Sequence, residues 1–248
     1  MNHNTVVRSL QILTHLLTLY GIYYSAVNSA WSLLWLSVVV YWIIGVLGIN
    51  IGFHRLISHR SFETYKPIEY FLAIIGCITS IGSPLAWSVL HRHHHGHAEK
   101  ETDVHSPYHL GWFKAWFGLW EVPHISPKLS RDLRKIKFYR LTHKYYLHII
   151  SLYVLILALI NPLYIVYVYA IPAVLVLHST SAIIVIAHMH GYKTHNIDDE
   201  SRNSWIASLI TLGEGWHNNH HANSKAWNNQ ERWWELDPPA WIIRAIKK

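Results

Sequence analysis

Three histidine-rich runs carry the chemistry that this sequence offers: HRLISH with His54 and His59, HRHHH with His91, His94 and His95, and HNNHH with His217, His220 and His221. In the second and third runs the spacing is i, i+3, i+4, which on an α-helix sets three imidazoles on one face. Two such faces opposed across a small gap can each contribute donors to two metal ions. A lone histidine, His188, completes the candidate set.

The first run differs. On an α-helix, positions i and i+5 lie about 140° apart, so His54 and His59 are expected to separate, one ending the helix and the other following a bend, and they need not share an ion. His93 and His97 fall off the face of the second triplet and are expected in supporting or solvent positions. His15, His148 and His178 have no partner by periodicity and read as ordinary interior or surface residues.

Imidazole suits zinc, copper, iron and nickel alike, and a structural or hydrolytic zinc needs only three or four protein ligands. Eight or nine clustered histidines exceed that and imply a dinuclear centre. The carboxylates Glu99, Asp103 and Glu214, with Asn218, are candidates to orient the imidazoles through their second ring nitrogens. The single cysteine, Cys77, excludes a disulfide framework and a thiolate site.

Elements able to position these histidines are written in the gaps between charges. The chain has 248 residues, of which 51% are hydrophobic and only 14% charged, and one unit over 1–248 is expected. No Lys, Arg, Asp or Glu occurs from Ser9 to His54 or from Tyr145 to Tyr192. Each block accommodates two spans of about 20 residues and a turn. The reading is an all-α integral membrane protein with four transmembrane helices in two hairpins, at about 9–27, 31–53, 145–161 and 163–188, and a helical cap made of 54–144 and 189–248. The turns fall at Val27–Ala30 and at Asn161-Pro162, and Pro172 is a candidate kink. Lys and Arg lie outside the hairpins, which places the termini and the cap in the cytoplasm. The net charge of +7 fits a membrane surface or an acidic partner; no nucleic-acid motif accompanies it.

A third apolar stretch, about Tyr70 to Leu90, would put His54 and His91 on opposite sides if it spanned the bilayer. Gly76, Gly82 and Pro84 weaken it as a span, and it is expected along the interface or against the cap.

At these residues the sequence resembles the membrane fatty-acid desaturases, in particular the stearoyl-type, delta-9 branch. The three histidine boxes of that family stand here in order, supported by GFHRLISHRSF, HRHHHGHAEKETDVHSP, IAHMHGY, GEGWHNNHH and RWWELD, so that the likeness runs from Gly52 to about Asp237. The resemblance implies two iron ions held by His54, His59, His91, His94, His95, His188, His217, His220 and His221, with O2 as co-substrate. It implies insertion of a cis double bond into a saturated acyl chain carried on CoA or lipid. A ferredoxin or cytochrome b5 type donor would supply two electrons. The chain departs from the pattern at Asp103-Val104-His105 and at Ala222-Asn223-Ser224-Lys225. It also has Ile184 where the branch has an asparagine that completes one iron's shell, and no fused haem domain is expected.

An acyl chain has no polar handle near the reacting carbons, so a narrow apolar tunnel must set the position. Trp87, Trp112, Trp116 and Trp216 are candidate walls, as are Trp233 and Trp234, with an interfacial aromatic belt as their other role. The basic stretch Lys128–Lys144 is a candidate dock for an acidic electron carrier or a headgroup, or a positive-inside anchor. Competing functions are an alkyl or acyl hydroxylase on the same scaffold, and a metal or haem-binding membrane protein.

Overall fold

The computed structural model describes residues 3–120 and 125–248. It is all-helical, and among the described residues β pairing is limited to isolated bridges such as Tyr192 with Asn203 and Asn203 with Trp216. The helices that position the histidines are α1 (His3–Asn28), α2 (Trp31–Ser58), α3 (Lys66–Ile78), α4 (Pro84–His97), α5 (Trp112–Trp116), α6 (Lys137–Lys144), α7 (Tyr146–Ile160), α8 (Ile165–Met189), α9 (Trp205–Thr211), α10 (His217–Ala222) and α11 (Pro238–Ile246).

Two of these, α2 and α8, are long and apolar enough to cross a membrane, and α6 with α7 pass the same measure if the 68° bend between them lies within one span. The first helix is long enough, but Gln11, Thr14, His15 and Thr18 dilute its apolar character. Asn161 ends α7, its side chain accepting from Leu163 N at 3.0 Å. Pro172 stands where α8 passes from π-helix (Ile165–Ala170) to α-helix (Ile171–Met189), a place where its missing N–H costs least.

The stretch 70–90 is two helices broken at a turn. The left-handed backbone of Ser80 (φ 64°) ends the first, and Ser83 caps the second by accepting from Ala86 N at 3.3 Å ahead of Pro84, as serine and proline favour at a helix start. Helix α3 lies tight against α2: a Cβ on Gly48 would stand 2.7 Å from Gly76 N, so no larger residue permits that approach. The return through α4 brings His91 to His54, their ring centroids 4.6 Å apart.

Helix α2 continues five residues past its expected end at Phe53, and Gly45–Ser58 is π-helical. The i+5 pattern shows in Ser58 Oγ donating to Phe53 O at 2.6 Å and His59 N–H donating to His54 O at 3.0 Å. This wider turn corrects the expected divergence of His54 and His59, because residues five apart on a π-helix stack along one face.

Candidate metal centre

The nine histidines gather into two adjoining groups. In one, a nitrogen from each of His54, His59, His91, His95 and His220 lies within 4.8 Å of the others; in the second the same holds for His94, His188, His217 and His221. The two triplets exchange members in a symmetric way. From α4, His91 and His95 (i, i+4) enter the first group and His94 crosses to the second. From α10, His217 and His221 enter the second and His220 crosses to the first. One face of a helix thus feeds two sites.

Carboxylates fix which ring nitrogen faces inward. Glu214 Oε2 lies 2.8 Å from His54 Nδ1, Asp103 Oδ2 3.0 Å from His94 Nδ1 and Asp199 Oδ2 2.7 Å from His221 Nδ1, while Glu99 accepts from His188 Nδ1. A carboxylate needs the proton on Nδ1, which leaves Nε2 a bare lone pair. The Nε2 atoms converge: His54 Nε2 is 3.0 Å from His220 Nε2, His220 Nε2 is 3.1 Å from His95 Nε2, and His217 Nε2 is 3.0 Å from His188 Nε2. His221 Nε2 is buried without a hydrogen-bond partner. Imidazole nitrogens crowded together, with a buried orphan among them, are what a cation resolves, so the residues fit a metal centre.

Electrostatics keep the donors neutral. The pKa values of His59, His91, His95, His217, His220 and His221 are pushed well below the ordinary imidazole range, first by burial and then by neighbouring imidazoles. Burial opposes ionisation of Glu214, but Arg55 and His54 outweigh it and hold its pKa at about 2. Arg55 is itself buried, donating to Glu214 Oε1 at 2.7 and 3.0 Å, to Asp237 Oδ2 at 2.8 Å and to Trp227 O at 2.9 Å. On α4, Arg92 donates to both oxygens of Asp132 and to the carbonyls of Ile57 and Ser58, tying the end of α2 to the second histidine run.

Some candidates lie elsewhere. The Asn218 side chain hydrogen-bonds none of the nine histidines; its Oδ1 accepts from the backbone of Thr194 and His195. Asp199, which takes the orienting role on His221, sits in the loop after α8 and follows no helical spacing that would have exposed it. His105 lies partly buried beside His94 (centroids 4.4 Å) and Asp103. His93 donates from Nε2 to Thr102 O at 2.9 Å, away from both groups.

A mostly apolar cavity of about 480 Å³ reaches both groups, touching His54, His91, His94, His188 and His217. Of the six tryptophans expected on its wall, only Trp87 lines it; Trp120, unforeseen, does too. Trp216 is fully buried with Nε1 donating to Leu236 O, Trp112 is exposed and Trp116 donates to His178. Trp233, at 83% exposure, is no wall at all. Ile184, one turn before His188, lines the cavity next to the four-histidine group.

An all-helical chain with apolar spans and paired histidine groups beside an apolar cavity defines a class of membrane oxidoreductase. The fatty acid desaturase model matches residues 29–246, and the chain belongs to that family. It is 36% identical over 85% of its length, and 79% of the relative's, to an sn-1 stearoyl-lipid 9-desaturase of Anabaena variabilis. It is 34% identical to an sn-2 palmitoyl-lipid 9-desaturase of Nostoc sp., covering 88% of this chain and 79% of the other. An acyl-CoA 5-desaturase of Anemone leveillei is 32% identical over 88% of this chain and 70% of its own.

Proposed function

We propose that this chain is an oxygen-dependent di-iron desaturase that places a cis double bond at the delta-9 position of a saturated acyl chain. The observation that carries the reading is the pair of histidine groups, five and four imidazoles, at the wall of an apolar cavity. His54, His59, His91, His95 and His220 would hold one iron, and His94, His188, His217 and His221 the other. When bound, the irons supply the oxygen chemistry: a –CH2–CH2– unit with O2, two electrons and two protons gives –CH=CH– and two waters.

The chain's own residues position and insulate. Leu85, Ala86, Val89 and Trp87 of α4 and Ile49 of α2 keep the acyl chain dry and extended beside the imidazoles, where apolar walls exclude competing water. Glu214, Asp103, Glu99 and Asp199 hold the Nδ1 protons of His54, His94, His188 and His221, keeping each Nε2 aimed inward. Four spans, α1 with α2 and α7 with α8, would carry the site at their cytoplasmic ends together with both termini. An acidic ferredoxin or cytochrome b5 type donor would dock on the basic stretch Lys128–Lys144, where complementary charge speeds encounter.

Expression in a host followed by gas chromatography of its fatty acids tests the reading. A new delta-9 monoene that disappears in His94→Ala and His220→Ala is expected; a hydroxylated acid in its place would assign the hydroxylase reaction and overturn the proposal.

A further inference from the structure

Part of the cavity wall lies between α1 and α8. Gly118 and Trp120 line it, alongside Arg8 and Gln11 of α1 and Leu177 and Ile184 of α8. Their neighbours face the other way: Phe117 and Leu119 are 45% and 53% exposed, as are Trp112 and Phe113 at 58% and 53%. Gly118 and Trp120 thus meet the cavity while Phe117 and Leu119 beside them are exposed, so this short segment forms part of the partition between cavity and exterior.

That exterior is hydrocarbon in character. Trp112, Phe113, Phe117 and Leu119 are exposed together on one short segment, and Ile12, Leu13 and Leu16 of α1 are exposed as well. Exposed apolar side chains of this size are costly in water and stable against lipid.

A polar latch holds the segment shut. Trp116 Nε1–H can only donate, and it does so to His178 Nδ1 at 3.1 Å. His178 must then carry its proton on Nε2, which lies 3.1 Å from His15 Nε2; His15 in turn donates from Nδ1 to Gln11 O at 2.6 Å. The chain of donors closes with two neutral imidazoles and no proton left over. Histidines paired in this way among apolar helices are expensive to bury and do a specific job. Arg8 adds a second tie by donating to Trp120 O at 2.8 Å. Gly111 and Gly118, at φ +77° and +65°, bracket α5 with backbone that other residues adopt only under strain.

We propose that Gly111–Trp120 is a lateral gate through which the acyl chain of a membrane lipid passes from the bilayer into the cavity. The proposal rests on the desaturase reading and names the substrate as an acyl group that is resident in the bilayer, in preference to a soluble thioester. Opening requires the Trp116–His178–His15 latch to part while α1 and α8 stay in place.

Two measurements on the full-length protein in liposomes test it. The first needs no turnover: Phe113→Cys carries a bimane label, Cys77 being wholly buried and unreactive. Chain-brominated phosphatidylcholine is expected to quench the label at least about twofold more than aqueous iodide does. Preferential quenching by iodide overturns the membrane contact.

In the second, Trp116→Cys/His178→Cys is tied by a reversible bifunctional thiol reagent. Turnover of acyl lipid in the same membrane is expected to fall at least about tenfold on tying and to return on reduction, with bound metal unchanged. Equal turnover before and after tying overturns the gate, as does turnover confined to soluble acyl-CoA. Absence of acyl turnover in the wild-type protein would sink the desaturase reading, leaving the quenching experiment to decide the membrane contact.

Discussion

His59 donates its backbone N–H to the carbonyl of His54 at 3.0 Å, and the two imidazole centroids are 4.9 Å apart. The π-helical turn that joins them delivers both rings to one group of imidazoles able to hold a metal ion. Replacing either with alanine should therefore disturb the same ion: His54→Ala and His59→Ala are each expected to bind about one metal per chain in place of two. Metal analysis of the purified variants checks this; loss of different ions from the two would contradict the shared position.

Arg55 lies buried between Glu214 and Asp237. Arg55→Gln leaves two carboxylates in the interior without their cation, and removal of one partner from such a buried pair costs about 3–5 kcal/mol. A markedly lowered midpoint of thermal unfolding in detergent is expected, together with weakened metal binding, because Glu214 then loses its grip on His54.

Asp199 touches His221 alone among the nine histidines. Asp199→Asn should keep the fold and lower metal affinity by about 10–100-fold, the usual effect of removing an orienting partner. Competition with a chelator of known strength measures it; an unchanged affinity would show that Asp199 is only a surface charge.

Acid should loosen the metal-free protein. His59, His91, His95, His217, His220 and His221 have folded-state pKa values depressed by burial and then by neighbouring imidazoles, against about 6.5 when unfolded. Below that value the unfolded chain binds more protons than the folded one. The stability these groups contribute is full above about pH 6.5 and is lost as pH falls towards the depressed values. Unfolding of metal-stripped protein at pH 5 should come at lower temperature than at pH 7.5, and the reverse order would contradict the buried, neutral assignment.

The sequence shows the histidine triplets because i, i+3, i+4 spacing survives any packing that keeps the helix, and it shows the helices because charge is absent from long blocks. It could not show the partnership of His54 and His59. That depends on a π-helical turn at Gly45–Ser58, which no spacing in the sequence marks. Asp199 was invisible for a related reason, since a loop residue has no periodicity to betray its direction. Tryptophans misled because composition reports their number and not their facing: Trp216 points at Leu236 O, and Trp116 at His178. His15 and His178, without partners by spacing, found each other across α1 and α8.

An anomalous-scattering map recorded at the iron edge from the iron-loaded protein tests the central claim most directly. Two peaks are expected, one within bonding distance of His54, His59, His91, His95 and His220, and one within reach of His94, His188, His217 and His221. A single peak, or iron bound away from these imidazoles, would contradict the account.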